Sequence, residues 1–332
     1  MNYNLLTIFV SFLSGLILIS LFKKISFKFG IFRQSKGVSY LGGIAIFVSF
    51  VIAILTGSFL HEKSLSFDLW VIIIFALFFL ILEFFDDLKD FSLRARIIVQ
   101  FLLMFTYLFF AKKIEIYFFP NWLNYILSFF WIMGITNAFN LLDIKDGLCG
   151  GVALIIALFF ALIALLNGDT QLFIVILALI GSLCAFLVFN LPPAKVYMGN
   201  SGSHFLGFVF AALSMRGDYA TLNNPASILI PILLLAFPII DTTYLTFQRI
   251  RKRILPLRKS DDHIFMHLLN KGKSHKKMLF VVYLLSFLWC MSALFLIKGF
   301  NYIFLFSLSV SLIFSLTVIF KANQKEDNKI KL

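Results

Sequence analysis

Charge is the scarcest ingredient of this sequence. Asp, Glu, Lys and Arg make up 14% of its 332 residues, where soluble domains carry about 25%. With 61% hydrophobic residues and a mean hydropathy of +0.97, the chain reads as a polytopic membrane protein. Cysteine is also rare. Cys149, Cys184 and Cys290 lie in or beside apolar segments and show no paired spacing and no metal motif, so they say little about redox compartment. The pattern GxxxxGK[ST] is absent, which excludes a P-loop. No internal repeat is evident. The first apolar stretch, 3–22, has no basic residue before it and no small-residue cleavage site, so it is expected to be a retained helix. Acidic residues number 16 against 29 Lys and Arg, giving a net charge of +13. In a membrane protein such an excess records basic loops on one side, so no nucleic-acid partner is expected.

A helix crossing a bilayer needs about 20 mostly apolar residues. Eleven candidate segments are present, at about 3–22, 40–60, 67–85, 97–111, 122–139, 150–167, 171–190, 203–215, 226–247, 278–298 and 300–320. The expectation is an all-α fold: one transmembrane domain, 1–320, and a charged tail, 321–332. If the loops alternate sides, all but five of the 29 Lys and Arg fall on one side together with the tail. The positive-inside rule makes that side cytoplasmic, with the N-terminus outside and the C-terminus inside.

The same side collects the unusual polar stretches: RQSKGVSYLGG (33–43), DDLKDFSLRAR (86–96), NAFNLLDIKDGL (137–148), NLPPAKVYMGNSGSHFLG (190–207) and the basic segment that follows Asp241. A pore would need polar residues along its bilayer path, and only Glu83 and Asp241 offer that here, both near helix ends. In 137–148, Asn137, Asn140, Asp143 and Asp146 recur at helical spacing, which predicts that successive members face one another. They could hold ribose hydroxyls, a base edge or a metal, with Gly147 allowing close backbone approach. The alternative is a polar interhelical loop. Asp86 and Asp87 could share Mg²⁺ with a phosphate substrate, or end a solvated helix with Arg94 and Arg96 as partners. Ser201, Gly202 and Ser203 could offer donors to phosphate at a helix start, and Tyr197 could stack on a base. The alternative is a helix start made flexible by glycine. His263 and His267, four apart after Asp261 and Asp262, could serve pyrophosphate or metal binding. The surrounding Lys and Arg suit anionic lipid headgroups. Asp241 is a functional candidate, or the partner of a loop Arg or Lys.

Together these stretches, in this order from about Ser39 to Lys277, resemble the polyprenyl-phosphate N-acetylhexosamine-1-phosphate transferases. That family includes the phospho-MurNAc-pentapeptide translocase and undecaprenyl-phosphate GlcNAc-1-phosphate transferases. The resemblance rests on LGG (41–43), DD (86–87) with its continuation to Gln100, NAxNLxDxxDGL (137–148), NxPPAKxYMGxSGS (190–203), PxxDT (238–242) and the His motif at 263–267. It implies transfer of a sugar 1-phosphate, GlcNAc-1-phosphate first, from a UDP-N-acetylhexosamine to undecaprenyl phosphate. The setting would be the bacterial cytoplasmic membrane, facing the cytoplasm, at the start of a surface glycan such as O-antigen.

Carried over, Asp86, Asp87, Asp143 and Asp146 would be catalytic. Asn140, Asn190, Tyr197, Ser203, His263 and His267 would bind substrate. Asp86, Asp87 and Asn200 would hold Mg²⁺, or Mn²⁺ in its place. Membrane lipids are expected neighbours, and the resemblance leaves room for a homodimer. Three departures stand out. Asn200 replaces the Asp of the family's MGDxGS. Phe265 and Met266 replace two histidines, with His267 where Arg is usual. Ile144-Lys145 interrupts the usual DGLDG. The alternatives are a relative using another UDP-N-acetylhexosamine, an inactive scaffold, or a lipid transporter.

Overall fold

The computed structural model describes residues 3–32, 38–62, 64–89, 91–116, 119–216, 228–253, 263–269 and 274–323, and among them the chain is all helical. Arg33–Gly37 of the first polar stretch, Asp261, Asp262, most of the basic segment around them, and the tail beyond Asn323 lie outside the described residues. The helices are α1 (Tyr3–Phe29), α2 (Gly42–Leu60), α3 (Phe67–Lys89), α4 (Leu93–Phe110), α5 (Asn121–Leu142), α6 (Leu148–Leu166), α7 (Thr170–Asn190), α8 (Gly199–Arg216), α9 (Leu229–Leu234), α10 (Ala236–Arg251), α11 (Ile264–Leu269), α12 (His275–Ile297) and α13 (Asn301–Asn323).

Eight of these helices are long and apolar enough to cross a membrane: α1, α2, α3, α5, α6, α7, α12 and α13. The remaining three expected segments are helical but shorter, with 18 residues in α4, 18 in α8, and 6 plus 16 in the α9–α10 pair. That last segment is interrupted at Leu235 (φ −100°, ψ 15°) for a local reason. Pro238 lacks an N–H and its ring clashes with the carbonyl four residues earlier. That carbonyl belongs to Leu234, and it accepts instead from the Cys290 thiol at 3.5 Å.

The chain divides into two compact units, residues 1–218 and 219–332. In the first unit α1, α2, α6 and α7 pack together, while α8 is surrounded by α2, α3 and α5. α8 is buried on every side from Ser201 to Met215, as expected of a helix in the middle of a bundle. Close approach depends on small residues, since apolar surface alone does not drive helices together in lipid. A Cβ on Gly43 of α2 would lie 2.4 Å from the Gly202 Cα of α8, and one on Gly207 would lie 2.7 Å from the Thr136 Cα of α5. The outward face of α1 carries Leu5, Phe9, Leu13, Ile17 and Leu21, all exposed in a row that suits lipid.

A short backbone pairing ties two loops together at one end of this unit. Ser39 and Val196 form a parallel bridge, and the Tyr197 N–H donates to the Ser39 carbonyl at 2.8 Å. The Gly42 and Gly43 N–H groups donate to the Tyr197 and Met198 carbonyls at 3.0 and 2.9 Å. In the second unit α12 packs on α9, α10 and α13. Trp289 Nε1 of α12 donates to Ser315 Oγ of α13 at 3.0 Å.

The glycine contact between α2 and α8 gives a direct test. Gly43→Ala places a methyl against backbone that cannot rotate away, and should cost about 1–3 kcal/mol. Gly134→Ala, with open space around its Cβ position, should be neutral or slightly stabilising. Thermal unfolding of both variants in detergent measures the contrast.

Candidate active site

The start of α8 is where the polar stretches of the first unit meet. A helix begins with N–H groups that have no partner within the helix and a partial positive charge. Asp87, from the last turn of α3, meets both. Its Oδ1 accepts from the Asn200 N–H and its Oδ2 from the Ser201 N–H, each at 3.3 Å. Gly199 makes the approach feasible. It adopts φ +77°, and a Cβ there would lie 2.8 Å from the Tyr40 carbonyl and 3.0 Å from Asp87 Oδ2.

Asp86 does not join Asp87, because adjacent residues on a helix point about 100° apart. Asp86 Oδ2 accepts from Arg96 Nη1 at 3.0 Å and Oδ1 from the Phe91 N–H at 3.0 Å. Of the two partners named for this pair from sequence, Arg96 takes the role. The buried Asp86 thereby fastens the start of α4 to α3.

The central stretch closes over the same place. α5 ends at Leu142, so the helical spacing predicted for 137–148 is cut short. Asn137 donates to the Met133 carbonyl of its own helix at 2.8 Å. Asn140, in the last turn, reaches α8: its Nδ2 donates to Asn200 Oδ1 at 3.1 Å and to Ser203 Oγ at 3.2 Å. Asp143 caps α5, and Asp146 follows in the turn that leads to Gly147 (φ +77°) and α6. Asp146 Oδ2 accepts from the Ala194 N–H at 2.9 Å. Asn190 ties the two loops. Its Oδ1 accepts from the Gly147 N–H, and its Nδ2 donates to the Val196 carbonyl, both at 2.9 Å.

These contacts set the field. Burial pushes the Asp143 carboxyl up to about 7, and the carboxylates of Asp87 and Asp146 add to the shift. Tyr197 is half-buried, and its phenol is raised by burial and then by Asp146. Three acidic side chains therefore act on one space, and a cation brought there would relieve their repulsion. Among the described residues no group of three or more His, Cys, Asp or Glu is gathered closely enough to hold a metal by itself. Mg²⁺ nonetheless suits one or two carboxylates completed by phosphate oxygens and water. Asp87, whose oxygens each accept one backbone N–H, and Asp143 could meet that requirement, whereas Asp86 already pairs with the Arg96 guanidinium.

Behind Asn200 lies a buried pair that the motifs do not contain. His204 Nδ1 donates to the Asn200 carbonyl at 3.0 Å and lies 3.4 Å from Glu83 Oε2, while Gln100 Nε2 donates to Glu83 Oε1. In the sequence His204 stands within the polar stretch 190–207, directly after Ser203, with nothing there to pair it with Glu83.

The second unit has its own polar centre. His263 Nδ1 donates to Asp241 Oδ2 at 2.8 Å, and the Ile264 N–H donates to Asp241 Oδ1 at 3.1 Å. Asp241 thus caps α11 and fixes the His263 tautomer; most of the loop Arg and Lys that sequence offered as its partners lie outside the described residues. The His267 ring meets Tyr244 edge-on at 5.8 Å.

Comparison with known proteins gives a consistent set. The model of glycosyl transferase family 4 matches residues 69–218. A probable undecaprenyl-phosphate N-acetylglucosaminyl 1-phosphate transferase of Bacillus subtilis is 32% identical over 321 residues, covering 92% of this chain and 88% of the relative. An undecaprenyl-phosphate alpha-N-acetylglucosaminyl 1-phosphate transferase of Thermotoga maritima is 30% identical over 302 residues, 88% of each chain. A phospho-N-acetylmuramoyl-pentapeptide-transferase of Carboxydothermus hydrogenoformans is 32% identical over 209 residues, covering 55% of this chain and 63% of the relative.

Asp143 yields a prediction with a defined sign. Its folded-state pKa of about 7 lies above the usual carboxylate value of about 3.9. Between those values the folded protein holds a proton that the unfolded chain has lost, so this group lowers stability as pH rises through the window. Asp143→Asn should unfold with wild type near pH 4. At pH 8, without added cation or substrate, it should unfold on the order of 2–5 °C higher. Detergent-solubilised melting curves at the two pH values check this.

Proposed function

The chain belongs to glycosyl transferase family 4, and on that premise we propose that it transfers N-acetylglucosamine 1-phosphate from UDP-N-acetylglucosamine to undecaprenyl phosphate. A phosphate oxygen of the lipid attacks the β-phosphorus of the nucleotide-sugar. The bond from that phosphorus to the bridging oxygen breaks, and UMP leaves with the electron pair. The products are undecaprenyl-diphospho-N-acetylglucosamine and UMP. The observation that carries this reading is the convergence of Asp87, Asn140, Asp143, Asp146 and Asn190 on the first turn of α8 and its adjoining loop.

Phosphoryl transfer asks mostly for alignment and for neutralised charge. Asn140 and Ser203, joined at 3.2 Å, tie the end of α5 to the start of α8, and Asn190 holds the two loops in register. Tyr197, half-buried beside Asp146, offers an aromatic face for uracil. Asp143 and Asp146 would orient hydroxyls of the nucleotide-sugar. His263 belongs to the second unit, where Asp241 holds its Nδ1 and fixes the orientation of the ring. The lipid phosphate is already anionic at neutral pH, so its attack needs no strong base. Mg²⁺ or Mn²⁺, held by Asp87 and Asp143, would offset charge on the diphosphate.

Membranes are the natural setting of a chain with eight helices long and apolar enough to cross one among its described residues. The Lys and Arg bias supports a bacterial cytoplasmic membrane with these residues on its cytoplasmic side, where UDP-sugars are found. The product would initiate a surface glycan, O-antigen among the candidates.

The test is direct. Membranes bearing the protein, given UDP-N-acetylglucosamine and undecaprenyl phosphate with Mg²⁺, should form the lipid-linked sugar and release UMP. Asp143→Asn and Asp87→Asn should each slow transfer by at least about 100-fold. Wild-type turnover by Asp143→Asn would sink the site assignment. A labelled panel of other UDP-N-acetylhexosamines would identify a different donor.

A further inference from the structure

Asn200 occupies the centre of the site, and its amide can present either of two chemically opposite ends. The hydrogen bonds around it select one. Ser203 has a single hydroxyl proton, and its Oγ lies 3.3 Å from the Gly199 carbonyl and 3.2 Å from the Asn200 carbonyl. Those oxygens can only accept, so the hydroxyl spends its proton on them. Ser203 Oγ must then accept from Asn140, 3.2 Å away, which turns the Asn140 Nδ2 toward α8. The same Nδ2 meets Asn200 at 3.1 Å, so the atom it meets is Oδ1. Asn200 Nδ2 has no partner among the described residues and is not a buried atom. The backbone of Asn200 is held as well, through its N–H to Asp87 and its carbonyl to His204.

We propose that Asn200 serves as a hydrogen-bond donor to a diphosphate oxygen of the nucleotide-sugar and is not a ligand of the cation. This deepens the transferase reading and rests on it. Three carboxylates already act on this space: Asp87, Asp143 and Asp146. A fourth at position 200 would demand a cation before an anionic diphosphate could enter. An amide donor lowers that demand and adds a contact that a phosphate oxygen can satisfy. The purified protein therefore binds the diphosphate with a weaker need for divalent metal than its Asn200→Asp variant.

Two binding measurements, neither dependent on turnover, test this. Titrate UDP-N-acetylglucosamine calorimetrically in EDTA, and titrate Mn²⁺ by electron paramagnetic resonance without nucleotide. Wild type should bind the nucleotide-sugar in EDTA and Mn²⁺ weakly. Asn200→Ala should lose about tenfold of the metal-free nucleotide affinity with Mn²⁺ unchanged. Asn200→Asp should lose at least as much while binding Mn²⁺ about tenfold more tightly. A wild type that binds Mn²⁺ as tightly as Asn200→Asp, and UDP-N-acetylglucosamine only when a divalent cation is present, overturns the donor assignment and leaves the transferase reading standing. That result is what the amide pair in the flipped arrangement predicts. Failure of wild type to bind UMP or any UDP-sugar, with or without cation, overturns the transferase reading itself. Should Asn200→Asp fail to fold, Asn200→Ala supplies the Mn²⁺ reference: a loss of Mn²⁺ affinity in that variant overturns the donor assignment equally.

Discussion

The N-terminus of α8 is the constraint around which the first unit is arranged. A helix buried on all sides from Ser201 to Met215 has nowhere to send its first N–H groups except to other protein atoms. Asp87 takes two of them, and doing so requires α3 to end beside α8. The loop before α8 must also run close under Tyr40, which is why position 199 needs a residue without a side chain in the left-handed region. The pairing of Ser39 through Gly43 with Val196 through Met198 then holds that loop in place. One buried helix start thus explains an aspartate, three glycines and an isolated bridge from separate parts of the chain.

Much of this was legible in the sequence, and the reasons differ by feature. Low charge and long apolar runs identify membrane helices because each run meets the same length requirement. Eight of the eleven expected segments pass that requirement in the structure. The α9–α10 segment does not, and Pro238 explains why: its effect falls four residues back, at Leu234, inside what reads as one apolar run. The polar stretches were legible because polar groups near lipid are costly unless they have partners. Their partners were not. Asp86 and Asp87 look like one diaspartate in the sequence, yet helical geometry sends them to different neighbours. Periodicity alone cannot show where a helix stops, so Asp143 and Asp146 appeared to continue a face that ends at Leu142. His204 and Glu83 are far apart in sequence, and only packing of α3 against α8 brings them to 3.4 Å.

Asp241 shows the same lesson in the second unit. From sequence it was an acidic residue near a helix end, with many Lys and Arg nearby. Among the described residues its carboxylate joins an imidazole and a backbone N–H, both at one end of the six-residue α11. So short a helix has little stability of its own. A cap that is also the His263 partner couples the orientation of that ring to the existence of the helix.

The charge balance of the first unit carries the functional argument furthest. A partial positive charge at a helix start would by itself attract phosphate, but Asp87 already occupies it here. The space beside it is therefore net acidic, which helps Asp143, already disfavoured as an anion by burial, to hold its proton to about pH 7. An anionic nucleotide-sugar is accepted only if something positive arrives with it or if the acidic groups are few. A proton on Asp143, a divalent cation and an amide donor at Asn200 are three ways of meeting the same requirement. The first two compete, because a cation binding Asp143 displaces its proton, whereas the Asn200 donor works alongside either. In the proposed reaction this makes Asn200 a contact with the diphosphate that persists whether or not metal is bound.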